Sequence, residues 1–219
     1  NRLRARYAQI DLEQRLLRAQ MNPHFIFNSL SAVQDLILTG RIRNAGTYLA
    51  KIARLMRNIL ESSREEFIPL DREIETLKLY LDLQKLRFEE VFDYEISLDT
   101  AIDPADISIP PMLTQPCVEN SIAHGLLPMK GKGRLEMSYT MMNGLLKLEV
   151  TDNGIGRKES AALSEARKDK RSVSAMITSE RLENFRKTLR NKKISFEISD
   201  LYIGEKAAGT RVVILLPYK

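Results

Sequence analysis

"RLEMSYTMMNGLLKLEVTDNG", Arg134–Gly154, decides how the second half of the chain folds. It reads as a β-hairpin, two strands around Asn143-Gly144, a dipeptide suited to a tight turn of left-handed backbone. Outward from it, "KISFEIS" and "GTRVVILLPY" supply the last strands, and "FDYEISLD" alternates as a strand before it. Two helices accompany these strands. "MLTQPCVENSIAHGL" reads as helical, closed by Gly125 as a C-cap. "FIPLDREIETLKLYLDLQKLRF" reads as a helix from Asp71, the expected N-cap, to about Arg87, with Pro69 ending what precedes it. "AIDPADISIPP" is a Pro-rich loop, and residues 157–176, polar and without period, read as a mobile loop. "ITSERLENFRKTLR" is a further helix, capped by Thr178 or Ser179. Together these give an α+β half, residues 67–219, with a mostly antiparallel sheet and helices on one face.

Residues 1–66 carry no strand signal. Leu3, Ile10 and Leu17 recur at seven, a seam of period 3.5 that Pro23 interrupts. A fresh stripe of Ile26, Leu30, Val33 and Ile37 follows, then a turn at "TGRIRN". A second helix places Ala45, Leu49, Ile52, Met56 and Ile59 on one face and Lys51, Arg54 and Arg57 on another. Two amphipathic helices and a short loop make an antiparallel hairpin. A hairpin has too little core to stand alone, so pairing with a second copy into a four-helix bundle is expected.

The composition is that of an ordinary water-facing protein: 219 residues, 43% hydrophobic and 29% charged, with a net charge of +5. No run approaches the ~18 apolar residues of a membrane span. The first residue is Asn1, which suggests a piece of something longer, and the lone Cys117 rules out an intrachain disulfide. Arg2, Arg4, Arg6, Arg15 and Arg18 crowd the start. They read as a solvated helix face or as the cytoplasmic flank of a membrane helix. Nucleic-acid binding is disfavoured, because aromatic residues are only 6% and offer no stacking platform.

Four places can carry chemistry. On a helix Asn28, Ser31 and Asp35 lie within about 40° of His24, whereas the apolar stripe lies roughly 180–240° away. That puts His24 on the wet face beside a proline, where an imidazole is a nucleophile able to accept a phosphoryl group and Asn28 can orient it. A surface histidine without a role is the plain alternative. In "ENSIAHG", Asn120 and His124 are i, i+4 with Glu119 adjacent, and amide and carboxylate oxygens suit Mg²⁺. "DNGIG", Asp152–Gly156, follows a strand and offers a sharp turn with a carboxylate able to take a hydrogen bond from a ligand amine. Gly209-Thr210 can set a hydroxyl against a ligand or merely start a strand.

The order of these pieces sets them apart from chance. "LLRAQMNPHFIFNSL", "IPLDREIETLKLYLDLQKLRF", "IPPMLTQPCVENSIAHGL", "LEVTDNGIG", "SERL" and "GTRVVILLP" span nearly the whole chain. With them the chain resembles the cytoplasmic part of the LytS/YehU-type sensor histidine kinases. The resemblance implies a dimeric helical bundle in residues 1–66 and a GHKL-type ATP-binding α/β sandwich with a mixed sheet in 67–219. It implies His24 as phosphoacceptor, Asn120 as the holder of Mg²⁺ with His124 and Glu119 nearby, and Asp152 on the adenine amino group. Gly154 and Gly156 would shape the pocket floor, Thr210 would support Asp152, and Arg157–Met176 would form the ATP lid. The implied partners are a second copy, a response regulator of the LytTR DNA-binding type, and a membrane reached through an N-terminal sensor portion. The implied place is the cytoplasmic side of the bacterial inner membrane.

Four departures stand out. Ala123 occupies the place of a usual lysine, and Ser31 that of a frequent asparagine. "RSVSAMITSERL" holds no glycine where the lid usually has several. Phe25, not an acid, follows His24, so no base is assigned. The lid and Ala123 motivate a second reading, a degenerate, non-catalytic dimeric signalling module.

Overall fold

Asn143 and Gly144 both adopt left-handed backbone, with φ of +52° and +74°, as the hairpin turn requires. The computed structural model describes residues 23–88, 91–166 and 194–218. The hairpin strands are β4 (Gly133–Met142) and β5 (Leu145–Asp152). They lie in a five-stranded sheet of order β2-β4-β5-β7-β6, where β2 is Phe92–Leu98, β6 is Ser195–Ile203 and β7 is Lys206–Leu216. Only β2 and β4 run parallel, so the sheet is mixed, as expected.

Period-two alternation gives the sheet one dry face. Leu135, Met137 and Tyr139 on β4, Leu146, Leu148 and Val150 on β5, and Val212, Ile214 and Leu216 on β7 are buried. The next inward position on β5 after Val150 is Asp152, so the apolar row ends in a carboxylate. The opposite face is charged, with Glu149 between Lys147 and Arg211, each 2.6 Å away.

The dry face is covered by helices. α1 (Pro23–Leu38) and α2 (Ile42–Ser62) form the hairpin, and α3 (Leu70–Arg87) follows. Gly40, φ +75°, lets α1 stop: the Arg41 amide donates back to the Leu36 carbonyl at 2.8 Å. Tyr48, Ile52, Leu55 and Ile59 of α2 share one continuous core with Leu70, Ile74 and Leu77 of α3. The basic face of α2 meets acids on α3: Lys51 Nζ lies 2.7 Å from Asp82 Oδ2, and Arg54 pairs with Glu75.

Several expectations are corrected. The α1 residues that pack on the core are Phe25, Ala32, Val33 and Leu36, with Ser29 buried among them. Leu30 and Ile37 of the expected stripe stay 54% and 53% exposed, because α1 carries two apolar lines and docking within the chain uses only one. On α2 Leu49 is exposed and Tyr48 takes its place in the core. Asp71 is not the cap of α3. The helix begins at Leu70 without a side-chain cap, and the Leu70 and Asp71 amides donate instead to the Ile107 and Pro104 carbonyls at 2.8 and 3.1 Å. Those carbonyls come from the Pro-rich loop, which also holds β3 (Ser108–Ile109) paired with β1 (Ile68–Pro69). The loop expected from 157 begins as a helix, α5 (Gly156–Ala166). The seam of residues 3–17 and the helix of 177–190 lie outside the described residues.

The expected helix at Met112–Leu126 is three pieces. Met112 is left-handed, φ +59°, so the helix starts later, as α4 (Gln115–Asn120). It then widens into a π-helical turn, Ser121–Leu126, marked by the Leu127 amide donating to the Ile122 carbonyl at 3.0 Å. Gly125 lies inside that turn and is not a C-cap.

Candidate functional site

Asp152 is the centre of the site. It is 2% exposed, and its Oδ1 accepts from the Gly154 amide at 2.9 Å and the Thr210 amide at 3.2 Å. The second bond follows from register, since Asp152 faces Thr210 across the β5–β7 ladder. Burial pushes the Asp152 carboxyl above the usual aspartate value, and bonds from the Ser121 side chain and the Gly154 and Thr210 amides pull only partly against it.

Three backbones meet around this carboxylate with no room for side chains. A Cβ on Gly125 would fall 2.9 Å from Asp152 Oδ1, and one on Gly154 would fall 2.4 Å from the Gly125 carbonyl carbon. Gly209 has φ +134°, and a Cβ there would sit 1.9 Å from the Asp152 carbonyl oxygen. The Ile155 amide closes the ring by donating to the Gly125 carbonyl at 3.2 Å. Gly156, φ +78°, brings the start of α5 against Ala207 of β7. The close approach explains the π-turn: Gly125 must reach the DNGIG turn. The sequence reading therefore misassigned Gly125 and missed Ser121. No local signal marked either residue, because both act through contacts with the distant Asp152–Gly154 turn.

Asn120 ends α4 and is half-buried, as are Glu119 before it and His124 on the π-turn. Glu119 Oε1 accepts from Gln115 Nε2 at 2.9 Å. The π-turn begins directly after Asn120 and carries His124. Both remain on the helix that enters the Asp152 cluster. Among the described residues no group of three or more His, Cys, Asp or Glu side chains is placed to hold a metal ion. An Asn120 amide oxygen would thus need phosphate oxygens to complete a magnesium shell.

His24 and Asn28 stand on another element, the first turns of α1, with Asn28 half-buried. One link between α1 and the rest runs through the next residue. Phe25 packs on Tyr80 of α3, with ring centroids 5.6 Å apart. Burial, then the charge of Glu119, push the Tyr80 hydroxyl well above the usual tyrosine value. The structure thus brings Asp152, Gly154, Gly156 and Thr210 together, sets Asn120, Glu119 and His124 on the adjoining helix, and seats the His24 helix against α3.

Comparison with known proteins bears on this arrangement. A family model described as histidine kinase matches residues 12–92. The sensor protein LytS of Oceanobacillus iheyensis is 31% identical over 209 residues, 95% of this chain and 35% of that protein. LytS of Staphylococcus epidermidis is 29% identical over 213 residues, again 95% of this chain and 34% of the relative. The sensor histidine kinase YpdA of Escherichia coli is 31% identical over 144 residues, 66% of this chain and 25% of its own length. The chain spans about a third of the length of the LytS relatives. Among solved structures, the catalytic domain of histidine kinase ThkA aligns at a TM-score of 0.47 and 11% identity, covering 69% of this chain and 94% of that one.

Proposed function

Because the chain belongs to the sensor histidine kinase family of two-component systems, with LytS among its relatives, we propose that it is an ATP-dependent protein-histidine kinase whose phosphoacceptor is His24. The observation that carries this reading is the buried Asp152, held by the Gly154 and Thr210 amides and walled by glycine backbone. A carboxylate so placed accepts a hydrogen bond from a ligand amine, and the adenine amino group is that amine. Gly154 and Gly156 keep the floor open to a flat base, and Thr210 braces Asp152. Asn120 would hold Mg²⁺, with Glu119 and His124 beside it, and the ion would supply charge neutralisation for the transferred group. An imidazole nitrogen of His24 forms the new N–P bond, the bond from the γ-phosphorus to the bridging oxygen breaks, and ADP leaves. Asn28 orients the ring.

In this reading residues 1–66 are the acceptor and dimerisation region and 67–219 the ATP-binding unit. Leu30, Ile37, Leu38 and Ile42 of the hairpin are more than half exposed, which supports a second copy covering them in a four-helix bundle. The phosphoryl group passes to an aspartate of a response regulator, of the LytTR type. None of the described helices is long and apolar enough to cross a membrane. We assign the membrane link to a sensor portion and the place of action to the cytoplasmic side.

Incubation with ATP labelled at the γ-phosphate tests the reading. Wild type gains acid-labile label, while His24→Gln and Asn120→Asp gain none; label retained by His24→Gln refutes the acceptor. A second reading, a non-catalytic dimeric module, is favoured by Ala123 and the glycine-free stretch 171–182. Failure to bind ATP or ADP at millimolar concentration would select it.

A further inference from the structure

Glu73 of α3 is a charged side chain buried to 3% exposure, and none of the site roles above falls to it. Its Oε2 accepts from the Met112 amide at 2.9 Å and its Oε1 from the Thr114 amide at 3.3 Å, across 39 and 41 residues. Burying a carboxylate is costly unless its oxygens are bonded, and here both are. What it holds is a turn of strained backbone. Met112 sits at φ +59°, a conformation that side chains other than Gly and Asn rarely adopt, and one that persists only where the surroundings enforce it.

The turn leads directly into the site. Thr114 is fully buried, and its carbonyl accepts from the Cys117 and Val118 amides at 3.1 and 3.2 Å, which makes it the first anchor of α4. α4 has only six residues and no side-chain cap bond, so its direction is set where it starts. Asn120 is its last residue, and the π-turn with Ser121 and Gly125 follows. Asp152, by contrast, has its backbone held in the β5–β7 ladder, opposite Thr210.

We propose that Glu73 is a positioning residue for the magnesium-nucleotide site, acting through the Met112–Thr114 turn to place Asn120 against the phosphates. The proposal rests on the kinase reading above. A glutamine at 73 keeps one acceptor but turns an NH₂ toward the second backbone N–H. An aspartate keeps the charge but is one methylene too short to reach both amides.

ATP affinity of the full chain, measured in magnesium chloride and in EDTA, separates this role from a merely structural one. Glu73→Gln is expected to lose about tenfold in the affinity gained from magnesium, as loss of a residue that supports a metal ligand typically does. Its affinity in EDTA, carried by Asp152, stays at the wild-type level, and amide exchange quickens at Met112 and Thr114. If Glu73→Gln does not fold, Glu73→Asp is expected to show the same selective loss, smaller in size. Equal losses with and without magnesium, or no loss in either, overturn the proposal. Wild type that binds no ATP sinks the kinase reading and this inference with it. Wild type that binds, beside a variant of unchanged magnesium dependence, sinks the inference alone.

Discussion

The ring of Phe25 lies 5.6 Å from that of Tyr80, tilted by 37°. Phe25 directly follows His24, and Tyr80 is buried on α3 with Glu119 close enough to raise its hydroxyl. The helix proposed to receive the phosphoryl group is therefore seated on the same face of α3 that borders the proposed metal-site helix. The contact lies within ordinary aromatic pairing distance, where a pair adds ~1 kcal/mol beyond the area it buries.

Phe25→Ala should uncouple the two halves. The ring is half-buried, so the expected loss of stability is about 1–3 kcal/mol, below that of a fully buried phenylalanine. Urea unfolding measures it. Labelling of His24 should slow while ATP affinity stays unchanged, and equal loss of both would mean that the contact serves the fold alone.

Two glycine substitutions should differ sharply. A Cβ at Gly154 would fall 2.4 Å from Gly125 backbone, whereas one at Gly144 meets nothing within 4 Å and faces only the strain of its left-handed φ. Gly144→Ala should cost ~1–2 kcal/mol and leave nucleotide binding intact. Gly154→Ala must move the π-turn or the DNGIG turn, and ATP binding should vanish in calorimetry. Retained binding in Gly154→Ala would show that the glycine wall is not part of the nucleotide pocket.

How far the sequence led depends on whether local or tertiary forces set each element. The Asn143-Gly144 hairpin was legible because the dipeptide itself prefers φ above zero. The Asp152–Gly156 turn was legible because Asp-Asn-Gly is turn-prone, although Gly154 serves there by its close approach to Gly125 and not by a positive φ. Gly125 was misassigned because its use is a contact with Gly154, 29 residues on, and no local rule predicts a π-turn. The start of α3 was misplaced because its orphan amides are satisfied by carbonyls of the 101–111 loop, which outweigh the cap that Asp71 offers. The α1 stripe misled because helical periodicity marks an apolar face without saying whether this chain or a second copy covers it. Glu73 left no signal at all: a Glu in a helix reads as solvated until a tertiary contact buries it.

The pH dependence of Asp152 follows from its raised carboxyl. A group whose folded value lies above its unfolded one binds protons more tightly when folded, so stability falls as pH rises upward from the ordinary value of 3.8. Asp152→Asn removes this term and keeps an oxygen for the Gly154 and Thr210 amides. Relative to wild type it should gain stability at pH 7, and the gain should shrink toward pH 3. Nucleotide binding should be lost in the same variant. Urea titrations across that range test the sign, and a gain that grows on acidification contradicts it.

Asp82 should show the opposite pH behaviour. Its carboxylate bridges three elements, taking Lys51 of α2 at 2.7 Å on one oxygen and the Tyr94 hydroxyl of β2 at 2.8 Å on the other. Partial burial pushes its carboxyl up, but these two bonds and the nearby Lys85 outweigh it, and the net value lies below 3.8. Stability from this group is therefore present above the ordinary aspartate value and lost as pH falls through the folded one. The side chain is 40% exposed, so solvent screens the pair, and Asp82→Asn should cost no more than about 1 kcal/mol at pH 7. That cost should shrink below pH 4 and in high salt. Because the pair ties the hairpin to α3, Asp82→Asn combined with Phe25→Ala should cost less than the sum of the single losses if the two contacts hold one docked interface. Strict additivity in a double-mutant cycle would mean that they act independently.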